Sequence, residues 1–261
     1  MSSLIDYHVH LDLYSDHELM VNQCHVQEID VFTMTTTPLA WSRNRELANG
    51  LPNIRVGLGL HPQLVAERAA EVELFEKLAP QADFIGEVGL DAGPRFYKSL
   101  DLQREIFIRI LRASVQTGPK ILSLHSVRSA SKVLDCIEDV CGTDRDLGLV
   151  LHWFTGSKSE AQRALRMGCY FSVNPMMLKK ESGRNVINAI PQDRLLTETD
   201  GPFTEKHAGS RYLPQDLGTL VRELGNLVGR SQETMQHQLH ENLTLLEAKL
   251  VKRGRQGASK T

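Results

Sequence analysis

Lys120-Ile121-Leu122-Ser123-Leu124-His125 is the stretch from which the fold is read. It is short, apolar, free of Gly and Pro, and closes on a histidine, as a strand buried on both faces of a parallel sheet does. Outward from it the same kind of run recurs. Leu4–His10, Ile29–Thr36, Ile54–Leu60 and Phe84–Leu90 precede it, and Gly148–Trp153, Cys169–Val173 and Arg194–Thr199 follow. Between the runs lie helical patterns. Leu102, Ile106, Ile110 and Ala113 recur at helical spacing and leave Arg104, Arg109 and Arg112 on other faces. Ser157 with Glu160 forms a capping box that opens a helix, and Gly168 closes it. A helix over Ser182–Ile190 is stopped by Pro191, and two more, near Gln215–Leu227 and Ser231–Leu250, complete the chain.

Alternating strands and helices imply parallel strands joined by right-handed crossovers. Eight strands favour an α/β chain closed as a TIM-type (β/α)8 barrel over an open doubly wound sheet. No GxGxxG or GxxxxGK[ST] follows the first strand, which counts against the nucleotide-binding open sheet. A length of 261 residues matches one such barrel, expected over 1–250, with 251–261 as a basic, flexible tail.

Composition narrows the class. No apolar stretch reaches the roughly 18 residues of a membrane span, and residues 1–6 lack a basic segment leading into an apolar one. Cys24, Cys136, Cys141 and Cys169 show no CxxC spacing and read as reduced thiols of a cytoplasmic protein. The net charge of −2 lacks the basic excess with which proteins coat duplex DNA, so a nucleic acid would have to be gripped locally.

His8 and His10, two apart in a strand, leave the same face and make a ready pair of metal ligands. Glu87 lies in an apolar strand, where an unpaired carboxylate is costly. His125 and His152 end two further strands, and Asp200 follows a third. Each alone has an ordinary structural explanation. Together they share one property: each lies in or at the end of a different strand, and in a closed barrel those ends converge on the face that carries active sites. Six N/O ligands exceed the need of one tetrahedral ion and suit two, sharing a carboxylate. Two ions about 3.5–4 Å apart can clamp the attacking and leaving oxygens of a phosphodiester and acidify a water. Zn, Mn and Mg all remain open.

His8-Val9-His10-Leu11-Asp12, Gly59-Leu60-His61-Pro62, Gly86-Glu87-Val88-Gly89-Leu90-Asp91, His152-Trp153-Phe154-Thr155-Gly156 and Glu198-Thr199-Asp200-Gly201-Pro202 resemble, in order, the signatures of TatD-family hydrolases. Glu241-Asn242-Leu243 is similar to that family's closing motif. The resemblance implies one ion on His8, His10, Glu87 and Asp200, and another on Glu87, His125 and His152. It implies Asp200 as the group that orients or deprotonates the attacking water, and His61 beside substrate phosphate. It also implies a Mg- or Mn-stimulated deoxyribonuclease that trims single strands from the 3′ end. Two departures touch the rim. Ser126-Val127-Arg128 moves an arginine one residue from its usual place, from where it could still reach a phosphate, and Ala92-Gly93-Pro94-Arg95 replaces the usual aromatic. With Phe96-Tyr97, this pattern resembles the QatD branch, the TatD-like component of a bacterial antiphage system. That branch implies an ATPase and a QueC-like enzyme as companions. Trp153 and Phe154 border the site, where stacking on a base is worth about 1–3 kcal/mol. Met176 and Met177 read as packing residues. Two other readings use the same residues: an amidohydrolase-type enzyme for a small amide, lactone or phosphoester, and a binding subunit whose metals are structural.

Overall fold

Eight short strands alternate with helices along the computed structural model, which describes residues 2–142, 146–207 and 209–251. β1 (Ile5–Val9), β2 (Asp30–Met34) and β3 (Ile54–Gly57) form one parallel sheet in that order, with Ile5 opposite Asp30 and Val31 opposite Ile54. β4 (Phe84–Gly89), β5 (Lys120–His125), β6 (Leu147–His152), β7 (Tyr170–Val173) and β8 (Leu195–Thr197) form a second, also parallel throughout. The two sheets join at both seams. Leu58 bridges Ile85, with its N–H donating to Phe84 O (3.0 Å) and its carbonyl accepting from Gly86 N–H (2.9 Å). At the other seam side chains replace part of the ladder. Thr197 Oγ1 donates to Ile5 O (2.7 Å), Thr199 N–H donates to Asp6 Oδ1 (2.8 Å), and Asp200 N–H reaches His8 O (2.8 Å). The ring is therefore closed, as a TIM-type (β/α)8 barrel.

Around it run α1 (His17–Val26), α2 (Pro38–Leu47), α3 (Val65–Arg68), α4 (Val72–Leu78), α5 (Leu100–Gln116), α6 (Ala130–Cys141), α7 (Lys158–Arg166), α8 (Pro175–Lys179) and α9 (Glu181–Ile187). α10 (Leu217–Val228) and α11 (Gln232–Val251) end the described chain. α5 buries Ile106, Ile110 and Ala113 of its expected stripe, together with Phe107 and Leu111, while Leu102 is half-buried against the core. α7 carries the reciprocal capping box of Ser157 and Glu160, and Gly168 takes the left-handed backbone (φ +77°) that ends it.

Three features depart from the expected pattern. The strand after α9 stops at Thr197 because the amides of Thr199 and Asp200 turn to Asp6 and His8. α8 is an additional turn of helix, begun by Pro175 and capped by Asn174 Oδ1, which accepts from the amides of Met176 and Met177. A small antiparallel hairpin, β9 (Glu205–His207) with β10 (Ser210–Arg211), follows the Asp200 turn. The four cysteines are buried, and among the described residues none forms a disulfide and no helix is long and apolar enough to cross a membrane. The expected basic tail, 251–261, lies outside the described residues apart from Val251, which ends α11.

The site depends on one close approach. A side chain on Gly59 would meet Thr35 O at 1.8 Å and Glu87 N at 2.5 Å. Only glycine lets the chain leaving β3 pass there and deliver His61 toward β4.

Candidate metal centre

β1 places His8 and His10 on one face, and each is fixed by its Nδ1. His10 Nδ1 donates to Met34 O (3.0 Å), and His8 Nδ1 lies 2.7 Å from Ser123 Oγ on β5. A carbonyl can only accept, so His10 carries its proton on Nδ1 and turns a lone pair on Nε2 inward. The two Nε2 atoms stand 3.2 Å apart in a fully buried setting.

Glu87, on β4 and 2 % exposed, is the hub. Its two oxygens divide the surrounding imidazoles. Oε2 faces His10 Nε2 (3.2 Å) and His8 Nε2 (3.4 Å). Oε1 faces His125 Nδ1 (2.5 Å), His152 Nε2 (2.8 Å) and His61 Nε2 (3.1 Å). Asp200 closes the set from beyond β8, its Oδ1 being 3.8 Å from Nε2 of both His8 and His10. Asp200 and Trp153 both hold left-handed backbone (φ +51° and +37°), the conformation that swings these strand-end residues over the mouth.

Sequence reading missed a supporting layer. Asp91 Oδ2 lies 3.0 Å from His125 Nε2, and Asp91 is itself held by Gln63 Nε2 (2.8 Å) and Gly93 N–H (2.7 Å). Glu198, fully buried, accepts from Trp153 N–H (2.9 Å) and Asn174 Nδ2 (3.1 Å), bonds Ser172 Oγ, and sits 3.8 Å from His152 Nδ1. Both acids belong to motifs quoted above. The signal for Ser123 is weaker: two residues before His125, it shares that residue's face of β5.

His61 stands closer to the hub than a phosphate contact requires. Its Nδ1 accepts from Gln63 N–H (3.1 Å), so the ring proton is on Nε2, directed at Glu87. Trp153 lines a cavity of about 360 Å³ above the cluster, with His61, Thr155 and Phe203. Arg128 is exposed and does not line it. Phe154 is no rim residue. It is 1 % exposed and packs edge-on against Phe171, 5.3 Å between centroids.

Burial, then the positive field of His152, pushes His8 well below the ordinary histidine range, and burial also lowers His61. Burial alone would lift Glu87, but His61, His152 and His125 outweigh it and hold the carboxyl well below the usual carboxylate range. His125 and His152 are raised instead, because Glu87 overcomes their desolvation. Asp200 is raised well above its ordinary value by burial and by Glu198, Glu87 and Asp6; His152 opposes the rise. Asp6, on which the Thr199 turn hangs, is pushed up to about 7 by burial. The crowded carboxylates thus favour positive charge among them.

A cation would take that role. Ligand atoms of His8, His10 and Asp200 lie within 4.8 Å of one another, as do those of His61, Glu87 and His125, and those of His8, His152 and Glu198. His152 Nδ1 is buried with no hydrogen-bond partner. Imidazoles, mutually repelling carboxylates and an orphaned ring nitrogen make a donor set that fits divalent metal.

Residues 5–247 match the family model of TatD related DNase. The chain is 29% identical over 233 residues to the 3'-5' ssDNA/RNA exonuclease TatD of Citrobacter rodentium, covering 84% of this chain and 87% of that one. It is 34% identical over 135 residues to Deoxyribonuclease Tat-D of Schizosaccharomyces pombe, covering 51% of this chain and 43% of that protein's length. The TatD homologue YJJV of Escherichia coli K12 superposes with a TM-score of 0.82 over 93% of this chain and 97% of that one; at 22% identity this is agreement of fold. The chain belongs to the TatD-related DNase family, and is a metal-dependent hydrolase of that family.

Proposed function

We propose that this chain is a two-metal nuclease that hydrolyses DNA phosphodiester bonds, working from the 3′ end of single strands. The observation that carries the reading is the ring of five imidazoles around one carboxylate, Glu87, beneath a cavity of nucleotide size. His8, His10, Glu87 and Asp200 would hold one ion, and Glu87, His125 and His152 the other. Bound ions supply charge neutralisation on the phosphate and an acidified water.

The chain's own groups do the rest. Asp200, oriented by its N–H on His8 O, takes the proton of the attacking water once ionised. Hydrolysis adds water across a P–O bond, and the proton passes to the departing oxygen. Glu87 holds the imidazoles in register. Trp153, anchored through its N–H on Glu198, and Phe203, 54 % exposed and edge-on to His10 at 5.2 Å, offer faces for bases.

The setting we propose is cytoplasmic antiphage defence. Gly89-Leu90-Asp91-Ala92-Gly93-Pro94-Arg95-Phe96-Tyr97 and His125-Ser126-Val127-Arg128 support it through their likeness to the QatD branch, with an ATPase and a QueC-like enzyme as partners.

The test is metal analysis of purified protein together with assays on end-labelled single- and double-stranded DNA and RNA, with Mg, Mn and Zn in turn. Shortening from the 3′ end of single strands is expected, abolished by chelator and by Glu87→Gln. Inertness on every nucleic acid, with turnover of a lactone or amide, would establish the amidohydrolase reading instead. Normal phage protection by Glu87→Gln cells would make the chain a binding subunit.

A further inference from the structure

We propose that Lys180 binds a second phosphate of the substrate, next to the one being hydrolysed, so that the site selects a polyanionic strand. The inference rests on the nuclease reading and adds the residue that recognises the strand. Among the described residues, Lys180 is the only lysine or arginine lining the cavity above Glu87. The residues below it are acids and imidazoles, so among the described residues Lys180 carries the only fixed positive charge at the mouth.

Its neighbours are engaged elsewhere. Lys179 Nζ donates to Glu205 O (3.0 Å) and lies over the Tyr212 ring. Lys206 pairs with Asp216, and Arg211 with Glu205 (2.5 Å). Arg184 donates to Leu178 O (2.8 Å). Lys180 is exposed and has no ion pair or side-chain hydrogen bond among the described residues. Exposed lysines are common, but this one stands on a rigid corner. It joins α8 to α9 in extended backbone (φ −101°, ψ 137°). Asn174 caps the helix before it, and a Cβ on Gly183 would meet Met177 O at 2.2 Å, so the two helices are pressed together. Arg128, the arginine expected at a phosphate, is absent from this lining. An ammonium on a flexible stem suits a phosphate whose position varies with the strand.

The experiment compares wild type, Lys180→Ala, Lys180→Arg and the charge control Arg112→Ala, which lies on the outer helix α5. Each is assayed across a series of KCl concentrations on a single-stranded oligonucleotide and on thymidine 5′-(p-nitrophenyl phosphate), which has one phosphate. Lys180→Ala is expected to raise KM for the oligonucleotide on the order of tenfold with kcat little changed. The salt dependence of log(kcat/KM) should become shallower by roughly 0.7, the release expected from one lost contact to a single strand. Turnover of the one-phosphate ester should be unaltered, and Lys180→Arg should recover the oligonucleotide KM. Unchanged KM and slope in Lys180→Ala would overturn the proposal, as would an equal loss on both substrates, since the contact would then be to the scissile phosphate. A wild-type protein inert on both substrates removes the nuclease reading itself, an outcome visible without any Lys180 variant.

Discussion

A hydroxyl two residues before His125 decides where the His8 imidazole points. Ser123 Oγ, 2.7 Å from His8 Nδ1, fixes the ring whose Nε2 faces Glu87 and Asp200. Groups of this kind tune metal affinity through the ligand they hold, typically by about 10–100-fold. Ser123→Ala is therefore expected to weaken binding by that factor in competition against a chromogenic chelator, with kcat recovering at saturating metal. Unaltered affinity would show that His8 needs no such tether. The residue scale also separates what a sequence displays from what it hides. His8, His10, Glu87, His125, His152 and Asp200 are legible because an ionisable group in or at the end of an apolar run is anomalous. Ser123 and Asp91 are ordinary in their local surroundings and acquire a role only when β5 lies beside β1 and β4. His61 was legible as a member of the site, but its proton on Nε2 follows from the turn that brings Gln63 N–H to its other nitrogen.

Elements whose signals are local were read correctly, and they can be tested locally. In the α7 capping box, Glu160 Oε2 accepts from Ser157 N–H (2.8 Å), while its Oε1 accepts from Ser131 N–H (3.1 Å) and Oγ (2.7 Å) on α6. Partial burial would raise the Glu160 carboxyl, but these hydrogen bonds outweigh it and hold it below its ordinary 4.5. A carboxyl lowered by folding stabilises the fold above its unfolded pKa, and that contribution is lost as pH falls through the folded value. Glu160→Ala should cost about 1 kcal/mol at pH 7 in urea denaturation, with the difference from wild type narrowing below pH 4.5. A difference that widens in acid would refute the sign. α11 offers a larger effect. Asn242 Nδ2 donates to Gln192 O (2.7 Å) and Leu195 O (2.8 Å), tying the last helix to the entry of β8. Asn242→Ala leaves those carbonyls without the donor and should cost about 1–3 kcal/mol. The β9–β10 hairpin and α8 escaped notice for the opposite reason. Glu205, Lys206 and His207 are all exposed and show no apolar alternation, and α8 is only five residues long, too short to show a period.

The whole barrel converges on one buried cluster of charge. β1, β4, β5 and β6, the turn after β8 and the loop after β3 all send a side chain to within reach of Glu87 or its immediate partners. The seam between β8 and β1 depends on the Thr197 and Asp6 side chains where a backbone ladder would otherwise run, and both Asp6 and Asp200 are raised by burial. A cation held by these residues joins segments that are distant along the chain and relieves the repulsion among Asp200, Glu198 and Glu87. Because the unfolded chain offers no such preformed set, binding energy becomes folding energy. At a free metal concentration 100 times the dissociation constant, the gain is about 2.7 kcal/mol. For a chain of this size that amounts to a rise in Tm of roughly 5–10 °C over the chelated protein. Glu87→Gln, which keeps the shape of the hub but removes its charge, should lose most of the rise while melting as cooperatively as the chelated wild type. If calorimetry found the same Tm with chelator and with saturating Mn, Mg or Zn, the ions would not bridge the barrel, and the shared role of Glu87 would have to be abandoned.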